Sequence, residues 1–280
     1  MKTRFAPSPT GPLHLGHAYS AILAYDMARA ADGEFILRIE DIDQSRSRPK
    51  WEDLIYEDLH WLGLTWDGPI IRQSDRMAAY GAALDTLWSR GLLYPCDCTR
   101  RDITEALSAP QDGGATMGPD GHIYPGTCRD KSDRAGTRPK DKTLRLDIAR
   151  AVLKTGSVVF DETGKDRARH TYVPEVFVRN AGDIVLARRE IGTSYHLSVV
   201  VDDAAQNVTH VVRGQDLFEA TKIHVVLQRL LGLLTPIYHH HKLIRDDQGK
   251  RLAKRDDARA IQTYRDAGMT PADIRQMVGL

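Results

Sequence analysis

The stretch from Lys2 to Ile39 alternates in a way that leaves few folds open. Lys2 to Ala6 reads as a short strand. Ala18, Ala21, Ile22, Tyr25 and Ala28 then follow helical spacing until Asp32-Gly33 stops the helix, and Phe35-Ile36-Leu37-Arg38-Ile39 reads as the next strand. A strand, a long helical crossover and a second strand form a right-handed parallel unit, the opening of a doubly wound α/β sheet. Ligands of such sheets sit beyond the carboxyl ends of the strands, against helix N-termini.

The same rhythm runs on and then breaks. Trp51 to Leu62 and Asp75 to Arg90 read as amphipathic helices; much later Val208 to Arg213 reads as a strand, Glu219 to Leu231 as a helix and Pro236 to His241 as a strand. Between them, residues 95–189 carry the cysteines, many glycines and short strand candidates at Ser157 to Phe160 and Val176 to Arg179. The pattern predicts a sheet split by an insertion: 1–94 and 190–244 as its two halves, 95–189 as an inserted subdomain, and 245–280 as a loop with short helices at Ala258 to Ala267 and Pro271 to Val278. A chain of 280 residues with 41% hydrophobic and 28% charged content has the size for this arrangement.

Several function classes are disfavoured. No run approaches the roughly 18 apolar residues of a membrane span, and MKTRFAPSPTG lacks the apolar core of a signal peptide, so the expectation is a cytoplasmic protein with no membrane partner. A net charge of +1 does not mark the whole molecule as a nucleic-acid binder. Two local basic stretches, Ser45 to Lys50 and Lys165 to His170, are candidates for that work or are simply solvated loops.

The loop after the first strand, PSPTGPLHLGH, suits a phosphate. Its prolines fix φ, Gly11 and Gly16 leave backbone exposed, and His14 and His17 stand where imidazole donors and the positive end of a helix starting near His17 meet phosphate oxygens. A capping histidine explains the same residues nearly as well. Near the other end, RDDQGKRLAKRDDARAI places Lys250, Arg251, Lys254 and Arg255 in a loop that reads either as a surface basic run or as a cationic loop of the kind that stabilises charge building on phosphorus. Cys96, Cys98 and Cys128 supply three thiolates for a tetrahedral zinc, and ligand chemistry alone names His122 as the fourth donor. His239, His240 and His241 cannot converge on one ion, because neighbours in a strand point to opposite faces.

Taken together, HLGH and RLAKR resemble the two signatures of the class I aminoacyl-tRNA synthetases, and RFAPSPTGPLHLGH with RIEDID is similar to the glutamyl branch. The segments RQSDRMAAY, from Arg72, and SYHLSVVVDDAAQNVTHVVRGQDL, from Ser194, extend the likeness over nearly the whole chain. The resemblance implies a Rossmann-like parallel sheet split by a zinc-bearing insertion, with a short C-terminal helical segment. It implies that Arg4, Ala6, Ser8, Glu40, Tyr195 and Arg213 hold glutamate, Glu40 taking the α-ammonium group. Two guanidinium forks suit a dicarboxylic substrate. His14, Gly16, His17 and Lys254 are implied to bind ATP, with His14, His17 and Lys254 stabilising the transition state of adenylate formation and Mg²⁺ accompanying the nucleotide. Ala253 stands where the family usually has serine, which puts one hydroxyl contact in doubt.

The zinc-bearing members of the group use a C-x-C…Y-x3-C array, which points to Tyr124 rather than His122 beside Cys96, Cys98 and Cys128. That array, and a chain with no room for an anticodon-binding domain after its lysine loop, resemble the glutamyl-queuosine tRNA(Asp) synthetases, truncated paralogues of the glutamyl-tRNA synthetases. Val199 and Leu217 fit the same group, since charging enzymes tend to carry Asn and Trp there. The implied partners are glutamate, ATP and the queuosine-bearing anticodon stem-loop of tRNA(Asp), and the expected state is a monomer. A minimal glutamyl-tRNA synthetase charging a tRNA 3′ end, or a non-catalytic RNA-binding paralogue, are the alternatives.

Overall fold

The computed structural model describes residues 1–108, 117–118, 121–244 and 259–280. The cationic loop with Lys250, Arg251, Ala253, Lys254 and Arg255 lies outside the described residues. In chain order the elements are β1 (Lys2–Phe5), α1 (Leu15–Ala30), β2 (Glu34–Ile39), α2 (Pro49–Trp61), β3 (Ile71–Arg72), α3 (Met77–Ser89), β4 (Leu93–Cys96), α4 (Arg100–Ser108), β5 (Met117–Gly118) and β6 (Gly121–His122). There follow β7 (Thr143–Leu146), α5 (Ile148–Thr155), β8 (Val158–Glu162), β9 (Ala168–Tyr172), α6 (Pro174–Ala181), β10 (Ile184–Ala187), α7 (Tyr195–Ala205), β11 (His210–Gly214), α8 (Thr221–Leu231), β12 (Ile237–His241), α9 (Ile261–Asp266) and α10 (Pro271–Val278).

The opening unit forms as its pattern predicts. β1 runs parallel to β2, Arg4 opposite Ile36, and β2 runs parallel to β3. The other half is parallel as well: β11 pairs with β12, and β12 with β8. The halves meet along β1 and β11, where the Thr209 amide donates to the Lys2 carbonyl at 3.0 Å. β1 thus lies at the point where the connections part to either side, the place where parallel sheets bind ligands. Helix α1 covers one face, burying Leu15, Ala18, Ala21, Ile22 and Ala28 at helical spacing. Helices α3, α7 and α8 build the second apolar cluster, which includes Leu84, Leu197 and Ile223.

Residues 95–189 do not stand apart from that sheet. β7 pairs antiparallel with β4 and β10, but β8 joins the parallel sheet through β12, with β9 antiparallel at its edge. Two local expectations change. Val176 to Arg179 lies in helix α6: Pro174 occupies its first turn, and Phe177 and Ala181, one helical step apart, are its buried residues. The basic stretch from Lys165 ends in strand β9 rather than remaining a loop. No described helix is long and apolar enough to cross a membrane.

Candidate active site and cysteine cluster

Helix α1 begins at Leu15, two residues before the expected start, because His14 is its N-cap. The Gly16 amide donates to Nδ1 of His14 at 3.1 Å, and the His14 amide donates to Nδ1 of His17 at 3.2 Å. Both rings accept at Nδ1, so each neutral imidazole carries its proton on Nε2 as a donor. The capping and phosphate readings therefore do not compete: the caps fix the tautomers. Gly16 is confined by the same ring, since a Cβ there would lie 3.0 Å from Cε1 of His14.

Beyond the ends of β1 and β11 opens a cavity of about 500 Å³, lined by Arg4, Ala6, Ser8, His17, Glu40, Tyr195 and Arg213 among others. All six residues expected to hold an amino acid line this one space. A second cavity of about 220 Å³ adjoins it, sharing His17, Ser20, Gly214 and Leu217 and adding His14, Gly16 and His241. Lys254 is not among the described residues. Leu217 lines both cavities, whereas Val199 is buried in the core.

The two guanidinium groups are held by different means. Nε of Arg4 donates to Oδ1 of Asp203 at 3.1 Å, and the same oxygen accepts from Nη1 of Arg38 at 2.8 Å. Arg38, fully buried, also reaches Glu40 at 3.2 Å. Burial pushes the Glu40 carboxyl up, against the pull of Arg38 and Arg4, and its level settles above the usual range. Burial would raise Asp203 too, but Arg4 and Arg38 outweigh it and hold that carboxyl below the usual range. The neighbouring Asp202 is fully buried as well, accepting from Gln73 at 2.9 Å, Arg76 at 2.6 Å and Tyr80 at 2.7 Å. The RQSDRMAAY segment thus braces α7 against α3.

Arg213 meets imidazoles instead. Its Nε donates to Nε2 of His240 at 3.1 Å and its Nη1 to Nδ1 of His224 at 3.1 Å, while Nη2 donates to the Thr221 hydroxyl at 2.7 Å. Burial, reinforced by Arg213, holds both histidines below the ordinary imidazole range, His224 well below. The His239–His241 run alternates as a strand must: His240 turns inward, and His241 meets the Ser20 hydroxyl at 2.6 Å. Sequence reasoning did not single out Asp202, Asp203, His224 or Glu162; two adjacent acids inside the apolar run SVVVDDAA were the available signal.

The cysteines converge. The Sγ atoms of Cys96, Cys98 and Cys128 lie within 4.8 Å of one another. The Tyr124 hydroxyl stands 3.4 Å from Cys96 and 3.3 Å from Cys98, and Cys98 and Cys128 are 3.5 Å apart. Edges of a tetrahedron around zinc with sulfur ligands run to about 3.8 Å, so this donor set fits the ion. His122, on β6, is not part of the cluster. The Arg145 guanidinium lies 3.8 Å from the centre of the Tyr124 ring and donates to Cys96 Sγ at 3.3 Å, a cation that would offset the negative charge of these donors when they hold a metal ion.

Comparisons with known proteins bear on all of this. The family model described as tRNA synthetases class I (E and Q), catalytic domain, matches residues 1–280. The chain is 64% identical over 282 residues to a Glutamyl-Q tRNA(Asp) synthetase of Rhodobacter capsulatus, covering 100% of both. A protein of the same name from Geobacter sulfurreducens is 43% identical over 264 residues, 94% of this chain and 78% of that one. Among solved structures, a glutamate tRNA ligase from Elizabethkingia meningosepticum in complex with its amino acid aligns with a TM-score of 0.76 at 25% identity, over 99% of this chain. The chain spans 60% of that solved protein's length. The methionyl-tRNA synthetase of Mycobacterium tuberculosis, bound by methionyl-adenylate, shares the fold at a TM-score of 0.60 and 12% identity, over 99% of this chain and 63% of that one.

Proposed function

Since the chain belongs to the class I (E and Q) tRNA synthetase family, within it to the Glutamyl-Q tRNA(Asp) synthetases, we propose that it activates glutamate with ATP in the absence of tRNA and transfers it to the queuosine base in the anticodon of tRNA(Asp). The enzyme class is that of a ligase. The observation that carries the reading is the meeting of Arg4 of β1, Glu40 after β2, Tyr195 of α7 and Arg213 of β11 on one cavity beside the N-terminus of α1. Two cations and one carboxylate suit an amino acid with an acidic side chain, Glu40 taking the ammonium group and the guanidiniums taking carboxylate.

Adenylate formation joins two anions. The glutamate α-carboxylate attacks the α-phosphorus of ATP: a bond forms from a carboxylate oxygen to that phosphorus as the bond to the oxygen bridging to the β-phosphorus breaks, and pyrophosphate leaves with that oxygen. Mg²⁺ accompanying the nucleotide would supply counter-charge to the phosphates. Such a step calls for positioning and charge stabilisation rather than a protein nucleophile. His14 and His17 would donate from Nε2, Gly16 would let phosphate approach the backbone, and Lys254 would add its charge. A structural zinc would be held by Cys96, Cys98, Tyr124 and Cys128, fixing the segment after β4. The exposed residues Arg46, Lys165, Arg167 and Arg169 would grip the anticodon stem-loop from outside the cavity. We place the activity in the cytoplasm, where tRNA is found.

The test is incubation of the protein with ATP, Mg²⁺, labelled glutamate and total tRNA, followed by digestion of the RNA and location of the label. Label on an anticodon fragment of tRNA(Asp), and none on tRNA lacking queuosine, is the expected result. Label on the terminal adenosine would replace this reading with that of a minimal charging synthetase. Absence of pyrophosphate exchange with glutamate and ATP alone would remove tRNA-independent activation.

A further inference from the structure

The geometry points to Glu162 and His240 as positioning residues that hold the Arg213 guanidinium in place for an anionic substrate without neutralising it. The inference rests on the reading of Arg213 as a partner of glutamate and adds to it a mechanism of placement. Arg213 can only donate, so the 3.1 Å contact from its Nε fixes Nε2 of His240 as the acceptor. The single proton of the neutral ring then sits on Nδ1, where it donates to Oε2 of Glu162 at 2.5 Å. Glu162 Oε1 accepts from the His240 amide at 2.9 Å and from the Gly164 amide at 2.6 Å. Both side chains are wholly buried. Burial alone would raise the Glu162 carboxyl, but the His240 ring and these two amides more than offset it and keep it below the usual range.

The arrangement differs from that of Arg4, and the difference has a physical consequence. Arg4 touches the carboxylate of Asp203 directly, so part of its charge is answered inside the protein. Among the described residues no ion pair joins Arg213 to a carboxylate, and its anion, Glu162, stands one imidazole away. A neutral acceptor supplies direction to the guanidinium and leaves its charge for the ligand; a carboxylate in that place would compete with the substrate. Carboxylate–imidazole pairs set tautomer and ring orientation in the same way beside metals and catalytic hydroxyls. The His224 ring repeats the arrangement on the other side: it accepts from Arg213, so its own proton faces Nδ1 of His196 at 3.0 Å.

Pyrophosphate exchange with the whole protein tests the placement. The readout is the KM for glutamate against the KM for ATP, with thermal unfolding followed in parallel. His240→Leu should raise the glutamate KM on the order of tenfold or more and leave the ATP KM in place, in line with the loss of an orienting partner. His240→Gln should recover most of that loss, since an amide oxygen can accept from Arg213. Glu162→Gln should also raise the glutamate KM, because its amide can donate to Nδ1 and move the ring proton to Nε2, against Arg213. Ring ¹⁵N shifts of His240 should report the Nδ1–H tautomer in the native protein and a mixture in Glu162→Gln, a readout available if His240→Leu fails to fold. Equal shifts of both KM values, no advantage of Gln over Leu at 240, or an Nε2–H tautomer in the native protein would each overturn the inference. Arg213→Gln separates the two levels: an unchanged glutamate KM there would overturn the role of Arg213 itself, whereas a raised value with silent His240 and Glu162 variants would overturn only the placement.

Discussion

Nε of Arg4, a residue that lines the cavity, lies 3.1 Å from a carboxylate oxygen of Asp203, across 199 positions of chain, and joins β1 to α7. The same oxygen serves Arg38, so one buried anion answers two buried cations. The contact makes the floor of the candidate site and the stability of the sheet parts of one network.

Asp203→Asn should therefore act on both. Breaking a buried ion pair from one side leaves uncompensated charge and costs about 3–5 kcal/mol, and here Arg38 keeps Glu40 as a partial substitute. We expect a loss near the lower end, about 3 kcal/mol, read from urea midpoints, together with a raised glutamate KM in pyrophosphate exchange. The native contribution has a definite pH sign. Because the folded carboxyl is held below its usual range, the stability it brings is complete above that range and is lost as pH falls through the folded value. The Asn variant should lack this acid-side decline.

Asp58, on α2, carries the opposite sign. It is 0% exposed, neither oxygen finds a hydrogen bond among the described residues, and Arg265 of α9 approaches only to 3.7 Å. Burial pushes its carboxyl up to about 7 despite that cation. Above the unfolded value of about 4 the unfolded chain releases the proton first, so stability falls as pH rises toward 7 and the penalty is complete beyond it. A gap of about three units at about 1.4 kcal/mol each sets a ceiling near 4 kcal/mol. Asp58→Asn should match the native protein near pH 3, below the unfolded value, and unfold at a higher temperature at pH 8. A native protein whose melting temperature relative to the variant stays flat between those pH values would refute the assignment.

How much of this could be read from the residues depended on distance along the chain. The β1–α1–β2 unit was legible because its signals are local: alternation, helical spacing and a Asp-Gly stop. Helix α6 was misread because Val176-Phe177-Val178 looks like a strand run when the burial of Phe177 and Ala181 on one helical face is unknown. The two cations that line the cavity, Arg4 and Arg213, were legible through motif resemblance. What orients them was not: Asp203 is 165 positions from Arg38, and Glu162 is 78 from His240. Nor could alternation alone assign the part each histidine of the 239–241 run plays.

Metal content tests the cysteine cluster. Purified protein should hold one equivalent of zinc, and Cys98→Ala should lose it. Tyr124→Phe keeps three thiolates within reach but removes the fourth donor, and it should weaken the site by more than the 10–100-fold typical of losing an outer partner. Chelator competition and the visible spectrum of the Co²⁺-substituted protein would measure this. His122→Ala should leave both unchanged, since His122 stands outside the cluster.

Gly164 offers a substitution whose effect should spread from backbone to site. A Cβ at this position would come within 2.2 Å of the His240 carbonyl oxygen and 2.8 Å of Oε1 of Glu162. The first of these is backbone inside a parallel ladder and cannot swing aside. Gly164→Ala must therefore push the β8–β9 turn away from β12 and stretch the 2.6 Å bond that the Gly164 amide donates to Glu162. Overpacking of this kind costs about 1–3 kcal/mol. Because Glu162 reaches Arg213 through His240, the glutamate KM should rise with the loss of stability while the ATP KM holds. An alanine variant of native stability and unchanged glutamate KM would mean that the turn does not need the close approach.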